Sequence, residues 1–539
     1  MSRIAAILLL VFCPGLGARA QSSGAEKSAG TAPPSLIVLV TIDQFRGDYL
    51  DRFGPQLHGG LGRLMRSGAW FTNAHQDHAI TETAPGHASL LSGRFPRSTG
   101  ITSNDVGVGD ASAPLVEIPN ADGASPARFQ GTTLVDWLRG KDARSRTLSV
   151  SMKDRAAILP VGRSRADVYW YYPDGRFTTS RYYRDSLPQW VARFNARKLP
   201  QSFAGKSWTP LLSDSAYKEP DSVNVEGAGI EYAFPHRLPD DGDAVASLVR
   251  LTPWMDDITL AFALEGMRER SLGDGPATDV LAVSLSATDV IGHRYGPDSK
   301  EIHDQVLRLD RSLGIFLDSL FKLRDASRVA IALVSDHGVG TIPELAARNV
   351  RPMPERVDLS QPAANMRARL VAGHVEPTAT YLDNTTVRVD RAAFGNARIN
   401  IDTVLAAFAR EAKQIPGVRR VDRFLDILAG DTVNDAIARR WSHQFPKGGD
   451  VALVITLTPS STSGGNVATH GSPYDYDTHV PLIFYGTAFR AGRYSGFVRT
   501  VDLAPTLAEV AGVKAGERLD GVVLTQALKR GKTPHRPPR

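Results

Sequence analysis

The sequence predicts an α/β fold, a doubly wound and mostly parallel sheet flanked by helices, with two regions inserted into it. Three observations lead there. Nearly continuous apolar runs ending in an acid recur along the chain, helical stretches alternate with them, and the composition is ordinary for a globular protein. With 539 residues, 42% hydrophobic and 22% charged, disorder, collagen-like repeats and coiled coil are excluded for the bulk of the chain. Lys and Arg number 63 against 57 Asp and Glu. That excess is small for this length and no long basic run concentrates it, so charge gives no ground for a nucleic-acid partner.

Residues 1–20 carry Arg3, an apolar run from Ile4 to Phe12, the breaker Pro14-Gly15 and then Ala18-Arg19-Ala20. This is the pattern of a cleavable signal peptide, and the run falls short of the roughly 20 residues a bilayer span needs. Cleavage after Ala20 would send the chain to the periplasm or the medium, with no membrane attachment afterwards. Cys13, the only cysteine, lies in this segment, so disulfides cannot stabilise the mature chain. Residues 21–34, rich in Ser, Gly, Ala and Pro, read as a linker.

The domain is expected over residues 35–528, followed by a basic tail, 529–539. The run from Leu36 to Ile42, ending at Asp43, has the form of a strand buried on both faces of a parallel sheet. Asp279 to Asp289, Val329 to Asp336 and Val480 to Tyr485 repeat that form, and Thr147 to Met152 is a further candidate. The clearest helix runs from Glu301 to Leu323, with Ile302, Val306, Leu309, Leu313, Leu317 and Leu320 on one face. Strand and helix in alternation argue for a doubly wound core. Residues 168–253 and 343–447 break the alternation and read as insertions that cap or flank it. The first opens on Tyr169-Trp170-Tyr171-Tyr172, which paired aromatics of a β-hairpin explain better than nucleic-acid contact.

In parallel α/β sheets, ligands bind beyond the carboxyl ends of the strands. There stand Asp43, then Asp289 with His293 four residues on, then Asp336-His337-Gly338, and before the last strand His470 and Asp477-Thr478-His479. Carboxylate and imidazole donors suit Zn²⁺. Six or more exceed one tetrahedral ion, so two ions about 4 Å apart are implied. Singly, an Asp at a strand end is an ordinary helix cap, and His470 reads as ligand or as packing with equal ease. Thr83, polar and just ahead of Pro85-Gly86, can sit at a helix N-terminus that favours an anion. Metal coordination could make it a nucleophile. Lys153 and Arg155, two apart in Lys-Asp-Arg, offer a point charge and a fork to phosphate oxygens.

Thr41-Ile42-Asp43, Thr83-Ala84-Pro85-Gly86-His87, Asp289-x-x-x-His293, Ser335-Asp336-His337-Gly338 and Asp477-Thr478-His479-Val480-Pro481 together resemble the alkaline phosphatase superfamily. Val501-Asp502-Leu503-Ala504-Pro505-Thr506 also looks like that family's C-terminal helix start. Within it the chain resembles the secreted bacterial alkaline phosphatases with a threonine nucleophile, of the phosphate-irrepressible type. The resemblance implies that Asp43, Asp336 and His337 hold one Zn²⁺ with the Thr83 oxygen, and that Asp289, His293 and His479 hold the other. It gives Asn104 the place of a phosphate-oxygen donor and Lys153 and Arg155 that of the pair marking the monoesterase branch. His470 receives no ligand role.

The expectation is therefore an alkaline phosphatase that hydrolyses small phosphate monoesters through a phosphothreonine, as a monomer. A phosphodiesterase or nucleotide pyrophosphatase of the same superfamily is the alternative, separated by Lys153 and Arg155. A sulfatase would need a modified Cys or Ser, and the mature chain has no cysteine.

Overall fold

The computed structural model describes residues 32–395 and 399–529. The expected signal peptide, most of the linker and nearly all of the tail lie outside the described residues. In chain order the strands are β1 (Leu36–Ile42), β2 (Ala69–His75), β3 (Thr147–Ser151), β4 (Asp167–Tyr172), β5 (Arg176–Thr178), β6 (Ser207–Trp208), β7 (His236–Arg237), β8 (Asp279–Leu285), β9 (Val329–Val334), β10 (Thr380–Asp383), β11 (Thr386–Val389), β12 (Val418–Arg423), β13 (Val451–Leu457), β14 (His479–Tyr485), β15 (Gly492–Tyr494) and β16 (Val498–Arg499).

The main sheet runs β15-β2-β14-β9-β1-β8-β3-β4-β5, with β16 beside β2. Pairings β9-β1, β1-β8, β8-β3 and β3-β4 are all parallel. β14 runs antiparallel between β9 and β2, which puts its first residue, His479, at the edge where its neighbours end.

β1 explains why the apolar runs are continuous. Val38, Val40 and Ile42 join one core with the helices Trp254–Glu269 and Lys300–Leu323. Ile37 and Leu39 join a second core with the helices Thr83–Leu90, Leu134–Lys141 and Leu503–Ala511. Both faces of the strand are dry, so alternation with polar residues is absent. The helix Lys300–Leu323 buries all six residues of its expected stripe, and Ser299 caps it by accepting from the Ile302 amide.

The two inserted regions differ from the expectation in two respects. Residues 167–178 form a β4–β5 hairpin that closes the edge of the main sheet, so the aromatic cluster is core and not cap. Tyr169, Trp170 and Tyr171 are buried there. The later region, reaching past the expected bound of 447 to include β13, builds a separate antiparallel sheet, β10-β11-β13-β12, over its own core of Val387, Val404, Phe408, Val421, Leu453 and Ile455. Among the described residues, no helix is long and apolar enough to cross a membrane.

Candidate active site

Adjacent strands β9, β1, β8 and β3 end side by side, and each delivers a charged group to the same edge. Asp336 follows β9, Asp43 follows β1, Asp289 sits in the first turn of the helix after β8, and Lys153 follows β3. The Lys153 ammonium stands between two carboxylates, 2.7 Å from Asp43 and 2.6 Å from Asp289. Burial works against its charge, but Asp289 and Asp43 prevail and hold its pKa above the usual lysine value.

Thr83 enters from the opposite face as the first residue of the helix Thr83–Leu90. Its hydroxyl lies 3.4 Å from His337 Nε2 and 3.4 Å from Lys153 Nζ. The helix comes this close because Gly86 has no side chain: a Cβ there would lie 2.4 Å from the Asp336 carbonyl oxygen. One turn on, His87 brings Nδ1 to 2.9 Å from the Thr83 carbonyl and 3.1 Å from Asp336 Oδ2. Asn104 Oδ1 accepts the Ala84 amide at 2.9 Å, which commits its carbonyl end and leaves its amide hydrogens to donate elsewhere.

Two donor groups result. Asp43, Asp336 and His337 form one; Asp289, His337 and His470 fall within reach of each other in the second, with His293 Nε2 at 3.4 Å from Asp289. His470 Nε2 is 3.7 Å from Asp289, and its ring stacks on that of His337 with centroids 3.6 Å apart.

Both groups fit divalent cations. Three carboxylates are buried here, and Lys153 offsets only part of their charge. Among the described residues nothing donates to the buried Asp43 Oδ1, a costly state for a buried carboxylate unless it serves a cation. The histidines are set for ligation as well. His293, His337 and His470 each place Nδ1 against a backbone carbonyl, of Ala468, Gly338 and Thr81. A proton on Nδ1 leaves the Nε2 lone pair free on every ring. Burial, then His337 and His293, push the His470 pKa well below the usual range.

One expectation is overturned by geometry. His479 is not brought to Asp289 and His293; His470 is. As the first residue of β14, His479 pairs with His75 of β2, donates through Nε2 to the Thr72 carbonyl, 2.9 Å away, and stacks on His75. Gly47 lies flat against its ring. The Asp477-Thr478-His479 motif is spent on shape: Asp477 accepts from the Ser472 amide and hydroxyl and so fastens the loop that presents His470. A sequence signal for this existed in His470-Gly471, because Gly471 has φ +106° and turns the chain where the ring leaves it. Gln44, which donates to Asp289 Oδ1 and through its backbone amide to Asp336 Oδ1, carried no such signal.

A cavity of about 390 Å³ opens on this edge, lined by Asn104, Arg155, His293 and His470 among others. Among the described residues, Arg155 reaches no acid closer than Asp154 at 3.7 Å, and its buried Nε has no partner.

The sequence matches the family described as type I phosphodiesterase / nucleotide pyrophosphatase over residues 37–448. It is 29% identical to the alkaline phosphatase PafA of Elizabethkingia meningoseptica, across 94% of this chain and 97% of that protein. It is 30% identical to the alkaline phosphatase PhoK of a Sphingomonas species, across 89% of each. The solved structure of PafA superposes with a TM-score of 0.84 at 27% identity, covering 93% of this chain and 100% of that one. Murine ectonucleotide pyrophosphatase / phosphodiesterase 5, at 16% identity and a TM-score of 0.53, shares the fold. A PafA variant solved with a Thr, an Asn, a Lys and an Arg all substituted has a TM-score of 0.85.

Proposed function

Because the chain belongs to the type I phosphodiesterase / nucleotide pyrophosphatase family and aligns with alkaline phosphatases along nearly its whole length, we propose that it is an exported, zinc-dependent alkaline phosphatase that cleaves phosphate monoesters through a phosphothreonine at Thr83. The observation that carries this reading is the Thr83 hydroxyl at a helix N-terminus, 3.4 Å from both His337 Nε2 and Lys153 Nζ.

Asp43, Asp336 and His337 would hold one Zn²⁺ and Asp289, His293 and His470 the other, supplying positive charge for the attacking and leaving oxygens when bound. The residues of the chain do the rest. Thr83 Oγ1 forms the new bond to phosphorus while the alcohol departs on the opposite side, and water later takes the phosphoryl group from Thr83. The positive end of the helix dipole at Thr83 favours the anion that gathers there. Asn104 donates to one phosphoryl oxygen, and Lys153 and Arg155 neutralise charge on the others. Export rests on Arg3, the apolar run from Ile4 to Phe12 and Ala18-Arg19-Ala20.

A phosphodiesterase is the second reading, favoured by the name of the family itself. Against it stand Lys153 and Arg155, two cations where a diester has one charge fewer to satisfy.

Thr83→Ala tests the proposal. The variant should keep about two Zn²⁺ per chain yet lose about four orders of magnitude or more in turnover. Wild type quenched at low pH should yield phosphate on Thr83. Phosphate on Thr81 or Ser89, or a variant that retains its rate, would refute it.

A further inference from the structure

The cavity beyond Thr83 does not end at the proposed phosphate contacts. It continues to the tip of the β10–β11 hairpin, where Asp383, Asn384 and Thr385 line it. Asp383 and Thr386 pair across the tip, and Asn384 takes a left-handed φ of +44° that Asn tolerates well. The tip is fixed. The Ile455 amide of β13 donates to the Thr385 carbonyl at 2.8 Å, and the Thr386 hydroxyl donates to the Asp383 carbonyl at 3.1 Å.

The charge on this side is one-sided. Glu82 and Asp383 line the cavity, and Arg155, already assigned to phosphate, is the only Lys or Arg among the described residues that do. The nearest cation to Asp383, Arg388, stands 4.0 Å away and is drawn to Asp450 at 2.8 Å. No Phe, Tyr or Trp is among the described residues lining the cavity, and its two imidazoles, His293 and His470, are turned to Asp289, so a flat base or aryl group gains little by stacking. What it does offer is carboxylate, amide and hydroxyl groups.

We propose that this hairpin tip is the leaving-group subsite, and that it selects small hydrophilic alcohols, neutral or cationic, against leaving groups that carry negative charge. This rests on the phosphomonoesterase reading above. A leaving alcohol is released towards the tip, where hydroxyl or ammonium groups meet acceptors and a carboxylate meets Asp383.

The test uses three phosphates of similar size: 2-aminoethyl, 2-hydroxyethyl and carboxymethyl phosphate, whose leaving groups are cationic, neutral and anionic. kcat/KM is measured for each with wild type, Asp383→Asn and Thr385→Lys. Comparing ratios between enzymes cancels the intrinsic reactivity of each ester. Asp383→Asn should raise the carboxymethyl-to-hydroxyethyl ratio about three- to tenfold, and Thr385→Lys should raise it at least as much while lowering the aminoethyl ratio. Both shifts should shrink in about 1 M salt, where the Debye length is about 3 Å. Should Asp383→Asn disturb the hairpin, Thr385→Lys on the half-buried tip carries the test alone. Unchanged ratios in Thr385→Lys, with all three esters still cleaved, would overturn the subsite. If wild type cleaves none of them, it is the phosphomonoesterase reading that falls.

Discussion

The Asp43–Asp336–His337 group and the Asp289–His293–His470 group use the same donor types but are built by different means. The first comes from the ends of two neighbouring central strands, β1 and β9, and its three side chains are 0% exposed. The second joins a helix to a loop: Asp289 and His293 are one turn apart on the helix Ala287–Tyr295, and His470 arrives from a segment between strands. Their side chains are 5%, 24% and 7% exposed. Strand ends in a buried sheet cannot move without moving the sheet, so the first group is a property of the fold. The second depends on a loop fastened by Asp477 and on a carbonyl contact from Ala468 to His293. Lys153 touches an acid of each group and is the link between them.

That link sets the largest effect. Hydrogen bonds to charged groups are worth about 1.5–3 kcal/mol each, so Lys153→Ala/Arg155→Ala should cost monoester kcat/KM about two to four orders of magnitude. A methyl aryl phosphate, with less charge to hold, should lose far less or gain. Equal losses on the aryl phosphate and its methyl ester would mean that the pair does not read monoester charge, and the diesterase reading would regain parity.

The second effect separates the two groups directly. His470→Ala removes a proposed ligand and His479→Ala a β-strand residue that faces Thr72. Outer partners of metal ligands typically matter 10- to 100-fold, so loss of a ligand should exceed about 100-fold in activity at limiting zinc. His470→Ala should bind about one Zn²⁺ tightly instead of about two. His479→Ala should keep the full complement and show its damage as a lower Tm. Normal zinc content in His470→Ala together with loss in His479→Ala would restore the ligand set that the motif order suggests.

The same contrast explains what could be read from the amino-acid order. Asp43 and Asp336 were legible because each follows an apolar run, and a run buried on both faces announces a strand whose end is a site; the run expected to end at Asp289 stops at Leu285, and Asp289 lies in the first turn of the helix that follows. His293 followed from i, i+4 spacing on a helix. His470 and His479 could not be ranked this way. They stand nine residues apart around one turn, and which ring reaches Asp289 depends on β14 beginning at His479 and on the direction of the chain at Gly471. The aromatic run at Tyr169 was legible as a hairpin but not as part of the main sheet, because its partner β3 ends more than fifteen residues earlier. Gly86 and His87 sit inside a motif whose later members read as mere helix, since their contacts are with Asp336 and Ser284, far away in sequence.

His87 offers the smallest and sharpest of these effects. It is fully buried and spans three segments of the site: Nδ1 faces the Thr83 carbonyl and Asp336 Oδ2, and Nε2 faces Ser284 Oγ at 2.9 Å. It touches only the first ligand group, through Asp336. A residue that orients Asp336 should alter how tightly that group binds metal more than how fast a loaded enzyme turns over. His87→Gln, which keeps a donor of similar reach, should weaken the tighter Zn²⁺ by about tenfold, and His87→Ala by up to about 100-fold. Excess zinc should return most of kcat in both, and the Asp289–His293–His470 group should keep its affinity. The readout is zinc competition against a chelator, followed by kcat at saturating metal. Loss of kcat that zinc does not restore would show instead that His87 acts on the position of Thr83, through the carbonyl one turn back, and the clamp would belong to the nucleophile and not to the metal group.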